Sequence, residues 1–148
     1  MKLYLDACCY NRPFDDQRQD RVHLEAEAVY AILRRVQAGT WELLGSDVLH
    51  LELAQLPDEI RRERVLELVP PLAECIVTSL KEEQRAVQLI ECGIKALDAL
   101  HVACAEAAGA DLFRSTDDRL LNALKREQAA VKLRVANPLS WVEEQDNE

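Results

Sequence analysis

Four carboxylates stand where this sequence has no evident packing use for them: Asp6, Glu52, Asp98 and Asp117, with Asp118 one register later as the alternative to Asp117. Asp6 closes an alternating apolar stretch, and Glu52 interrupts the apolar run of residues 48–54. Asp98 opens a segment that is otherwise almost wholly apolar apart from His101. Acids gathered in one place suit a hard divalent cation, since magnesium and manganese favour oxygen ligands. Clustered without basic partners or a cation, they repel one another, their pKa values rise and the fold loses stability. Each also has a purely structural reading: Asp6 as a turn residue, Glu52 as a solvent-facing helix residue, Asp98 as a helix-start acid.

The elements that must position these acids follow from periodicity. Residues 1–6 alternate, with Leu3 and Leu5 on one face, and predict a strand that ends at Asp6. Asn11-Arg12-Pro13 and Asp15-Asp16 predict a loop after it. Residues 21–38 carry apolar side chains at helical spacing and stop at Gly39. A second strand is predicted over 41–45, then a helix capped by Ser46 that carries Glu52. A further helix is predicted over 57–68, with Arg61, Arg62 and Arg64 as a solvated face interleaved with acids. Pro70-Pro71 breaks the pattern, and residues 74–78, β-branched at their centre, predict a third strand.

Helices are predicted over 82–91, from near 96 to Gly109, and over 120–125; strands are predicted over 111–115 and 131–135. The helix from 96 is apolar enough to lie buried between layers, with Asp98 in its first turn, where the helix dipole favours an anion. His101, one turn later, reads as a core histidine or a support for the acids rather than a ligand. The tail carries Trp141 and an acidic end over 143–148 that is expected to fray. Alternation of strand and helix from end to end predicts a parallel sheet layered between helices, with ligands taken at the carboxyl ends of the strands. If the strands ending at Asp6 and at Ser115 are neighbours, the acids converge on one crevice.

Composition sets bounds. At 148 residues, 49% hydrophobic and 30% charged, the chain is expected to form one domain, residues 1–148, with an ordinary core. No apolar run reaches membrane-spanning length and the first residues carry no signal-peptide pattern, so a cytoplasmic protein is expected. Five cysteines without metal-like spacing are expected to be reduced thiols. The formal net charge of −9 argues against binding a polyanion by bulk attraction, but a bound cation reverses the sign locally, and a nucleic-acid substrate stays open.

The strand that ends in Asp6, the segment from Ser46 to Glu52, the Leu97-Asp98-Ala99-Leu100-His101-Val102-Ala103 helix and the Ser115-Thr116-Asp117 strand end together resemble PIN-domain proteins, including the VapC-type toxin nucleases. The resemblance runs in order from Met1 to Val135. It implies a three-layer α/β/α sandwich around a five-stranded parallel sheet of order 3-2-1-4-5. It also implies magnesium- or manganese-dependent cleavage of RNA. By position, Asp6, Glu52, Asp98 and Asp117 match the family's acidic quartet, and Ser115, Asp117 and Leu120 fit its strand-end pattern. Ala7 departs from the small polar residue that many relatives carry there, which removes one hydrogen bond to a metal-bound water or phosphate.

On that reading Asp6, Asp98 and Asp117 hold one or two ions, and Glu52 orients a water or completes a second ion's ligands. Arg12 and Arg119, close in sequence to proposed acids, are candidates for contact with RNA phosphate, or else ordinary exposed arginines. The implied partners are an RNA substrate, single-stranded or structured, a cognate antitoxin, and a second copy in a homodimer. The competing class is a noncatalytic PIN-like interaction module that binds a protein or RNA. A phosphoacceptor domain of the response-regulator kind fits less well, because no Lys follows the last strand and the first acid stands singly.

Overall fold

A computed structural model describes residues 1–131 and 133–140. Its framework is a parallel sheet of four strands, β1 (Lys2–Leu5), β2 (Glu42–Leu44), β3 (Leu112–Arg114) and β4 (Arg134–Ala136), in the order β2-β1-β3-β4. Among the described residues the helices that connect and cover them are α1 (Ala7–Asn11), α2 (Asp20–Gln37), α3 (Asp47–Ala54), α4 (Glu59–Leu68), α5 (Leu80–Glu91), α6 (Ala96–Ala107) and α7 (Asp118–Arg126). The central strand is β1, and Leu3, Tyr4 and Leu5 are completely buried, as an inner strand covered on both faces requires.

Side-chain alternation along β1 divides the core in two. Tyr4 points with Phe113 into a cluster built from α5, α6 and α7, and the two rings stack with centroids 5.6 Å apart. Leu3 and Leu5 point with Leu112 to the opposite face, against Val29, Ile32, Leu49 and Val65 from α2, α3 and α4. Helices on both faces of a parallel sheet make the α/β/α sandwich. Register places Tyr4 beside Phe113 and Leu5 beside Arg114, so the residues that follow, Asp6 and Ser115, leave the sheet side by side.

Several expectations change. Among the described residues the sheet has four regular strands, not five: within the predicted strand 74–78 only Ile76 pairs, as a single parallel bridge to Ser46. Leu72–Glu74 forms a 3₁₀ turn after Pro71, and the Thr78 N–H donates to the Asp47 carboxylate (3.1 Å). A side chain thus takes the donor that a ladder would have used. The predicted loop after Asp6 is helical, as α1 followed by a 3₁₀ turn Arg12–Phe14, because Asp6 caps the first turn and Pro13 sits at the start of the second, where a missing N–H does no harm. Arg61 is no solvated side chain: it donates to Asn11 Oδ1, to the Phe14 carbonyl and to Asp15, tying α4 to the turn after α1.

The last strand starts at Arg134 rather than at 131. Lys132, Trp141 and the acidic end over 143–148 lie outside the described residues. Among the described residues no helix is long and apolar enough to cross a membrane.

Candidate active site

Asp6 is the residue at which β1 stops and α1 starts. It is 5% exposed. Its Oδ1 accepts the Ala7 N–H (2.8 Å), and its Oδ2 accepts the Ser115 hydroxyl (3.0 Å) and, more weakly, the Cys8 thiol (3.5 Å). One carboxylate therefore caps a helix and faces the end of β3 at once, so the structural and the chemical readings of Asp6 coexist. Burial pushes its pKa up, with Glu52 adding to the rise while His101 and the Ser115 hydroxyl oppose it.

Glu52 reaches the same place from the last turn of α3. That helix is started by Ser46, whose Oγ accepts the Leu49 N–H (3.0 Å). Opposite Glu52 lies His101, fully buried on α6, with Nε2 3.4 Å from Glu52 Oε2 but out of line for a hydrogen bond. Burial alone would lower the His101 pKa; the carboxylates of Glu52, Asp6 and Asp98 outweigh it and hold the ring above its ordinary value. Ligand atoms of Asp6, Glu52 and His101 all lie within 4.8 Å of one another.

Asp98 stands one helical turn before His101 on α6 and is half-buried. Its pKa is raised to about 6, first by burial, then by the charges of Asp6 and Asp117. Asp117 caps α7, accepting the N–H groups of Arg119 (3.0 Å) and Leu120 (3.3 Å), while its own N–H donates to Ser115 Oγ (3.1 Å). Asp98 and Asp117 line one cleft of about 360 Å³. Asp118 points elsewhere, to the Arg21 guanidinium, with two contacts of 2.8 Å.

The two arginines separate. Arg119 lines the cleft with Asp98 and Asp117, whereas Arg12 is held by the buried Glu25 (2.8 Å) and by Asp15 (3.3 Å). His101, read from the sequence as a core histidine or a support for the acids, is both: fully buried, and 3.4 Å from Glu52. Cys8 and Ser115 were not singled out as contacts of Asp6; for Ser115 the signal was present, since a hydroxyl two residues before Asp117 belongs to the strand-end pattern.

The donor set fits a divalent cation. No Lys or Arg pairs with Asp6, Glu52 or Asp98 among the described residues, and Glu52 Oε2 is buried without a hydrogen-bond donor. An acceptor left buried and unsatisfied costs about 1–3 kcal/mol, and a bound cation would remove that cost.

Comparison with known proteins agrees with this geometry. The PIN domain family matches residues 3–126, and the chain belongs to that family. Among curated proteins none matches. Of solved structures, a chain of FitAB bound to IR36 DNA is 17% identical over 93% of this chain and 95% of that one, with a TM-score of 0.57. A chain of VapBC2 from Rickettsia felis, bound to a promoter DNA fragment, is 16% identical over 93% of this chain and 98% of that one, with a TM-score of 0.55. At such identity these two likenesses concern the fold.

Proposed function

We propose that residues 1–148 act as one metal-dependent endoribonuclease domain, the toxin of a toxin–antitoxin pair. The observation that carries this reading is the cluster of Asp6, Glu52 and His101, with ligand atoms within 4.8 Å of one another, whose acids couple electrostatically to Asp98 in the cleft it shares with Asp117, and no Lys or Arg pairs with Asp6, Glu52 or Asp98 among the described residues. Asp6, Asp98 and Asp117, with Glu52, would hold magnesium or manganese, which when bound polarises a phosphate oxygen and acidifies water. The protein's own part is orientation. Asp6 is fixed by its bonds to Ala7 and Ser115, Asp117 by its capping bonds, and Glu52 faces the cluster from α3, placed to align an attacking water.

Single-stranded or looped RNA suits a recessed acidic crevice, because a flexible strand can enter where a duplex cannot. The likeness to chains of FitAB and VapBC2, each a two-part assembly on DNA, supports an antitoxin protein as partner. A homodimer and a cytoplasmic location belong to the same reading. Purified protein with magnesium or manganese should cut single-stranded RNA, and chelator or Asp6→Asn should stop it. RNA left intact under every metal condition would instead make this chain a noncatalytic PIN-like module.

A further inference from the structure

Beside the acids, the cleft of about 360 Å³ changes character. One end is acidic, formed by Asp98 in the first turn of α6 and Asp117 at the cap of α7. The rest is basic and amide-bearing. Arg119, Asn122 and Arg126 recur at helical spacing along one face of α7, and Lys95, the cap of α6, faces them from the other wall. Ile94 and Ala123 supply apolar floor.

The charge in this cleft is uncommitted. Several arginines elsewhere are held by acids, Arg12 by Glu25, Arg21 by Asp118 and Arg85 by Glu106, while others such as Arg34 stand singly on the surface. Lys95, Arg119 and Arg126 make no side-chain ion pair or hydrogen bond among the described residues. In a chain of net charge −9, three free cations lining the same cleft as two of the site acids form a local exception to the overall field.

We propose that this cleft seats the nucleotide next to the scissile phosphate of a single-stranded RNA, with Lys95, Arg119 and Arg126 taking backbone phosphate and the apolar floor taking the face of the base. The inference rests on the nuclease reading and names where its substrate lies. Arg119 and Arg126 are seven residues apart, about 10 Å along the helix axis, so the track leads away from the acids along α7. A volume near the low end of small-ligand sites, about 300–1,000 Å³, admits one nucleotide and excludes a duplex. Asn122, between the two arginines, offers both a donor and an acceptor to a base edge.

The test is fluorescence anisotropy with a short, fluorescein-labelled single-stranded RNA of mixed sequence, in calcium, with intact probe verified on a gel. Lys95→Gln combined with Arg126→Gln should weaken binding roughly tenfold and flatten the salt dependence by about 1.4 in log–log slope, two phosphate contacts at about 0.7 each. Lys2→Gln combined with Arg34→Gln removes the same charge from exposed positions outside the cleft and should change affinity less than about twofold. All four positions are exposed, so folding is not at stake. Equal weakening in both pairs, or none in the cleft pair, overturns the cleft assignment while wild-type cleavage leaves the nuclease reading intact. A wild-type protein that neither binds nor cuts RNA overturns both.

Discussion

Tyr4 Oη lies 2.8 Å from His101 Nδ1 and 2.7 Å from Ser46 Oγ, all inside the core. With the ring held at Nδ1, its other nitrogen lies 3.4 Å from Glu52 Oε2. A residue of the central strand thereby fixes which way a residue of α6 faces an acid of α3. Tyr4→Phe keeps the stack on Phe113 but removes the partner shared by Ser46 and His101. Urea unfolding should show a loss of about 1–3 kcal/mol at unchanged m, the cost of buried polar groups left unpaired. A loss of a few tenths would mean that the hydroxyl is dispensable to the network.

Asp98 gives stability a pH dependence whose sign can be worked out. Its carboxyl titrates at about 6 in the fold, against about 3.9 in an unfolded chain. The native state thus prefers the protonated acid. Without metal, this contribution is whole below about pH 4 and is lost as pH rises through 6. Asp98→Asn imitates the protonated form. In chelator, the variant should be more stable than the parent by about 1–2 kcal/mol at pH 8, a figure reduced for partial exposure, and equal to it near pH 4. Denaturant titrations at the two pH values test this, and a variant weaker at both would show that the acid serves only the helix dipole.

Manganese should raise the unfolding temperature, because an ion bound only by the native cluster stabilises it by about 2.7 kcal/mol at a hundred times its Kd. In Asp98→Asn the rise should shrink to a small fraction. Thermal scans that shift both proteins equally would place the ion away from Asp98.

Asp117 and Asp118 are adjacent but do different work. Asn is as good a helix cap as Asp, so Asp117→Asn should keep stability and lose RNA cleavage. Asp118→Asn breaks a pair with Arg21 whose two side chains are both half exposed or more, worth at most about 1 kcal/mol, and should keep activity. Paired cleavage and melting assays on the two variants decide between the registers, and the opposite result would move the functional acid to Asp118.

Much of this was legible from local pattern. Alternation in residues 1–6, the Ser46 cap, the apolar helix around Asp98 and the hydroxyl-x-acid strand end each depend on side chains within a turn or two of one another. Such periodicity decides which face of an element is buried and therefore which acids end up at strand ends. The order of those motifs was enough to indicate the family.

Other features depended on residues far apart in the chain. His101 faces Glu52 only because Tyr4 and Glu52, on other elements, close around it. Arg12 follows Asp6 closely in sequence, yet Glu25 on α2 claims it. Arg61 read as solvated until Asn11 and Asp15 came within reach. Residues 74–78 have strand propensity, but the Asp47 side chain satisfies Thr78 in place of a ladder. The physical reason is the same in each case. Periodicity settles how an element meets the core, whereas the partner of a buried polar group is chosen by distances across packed layers, and those exist only once the layers are assembled.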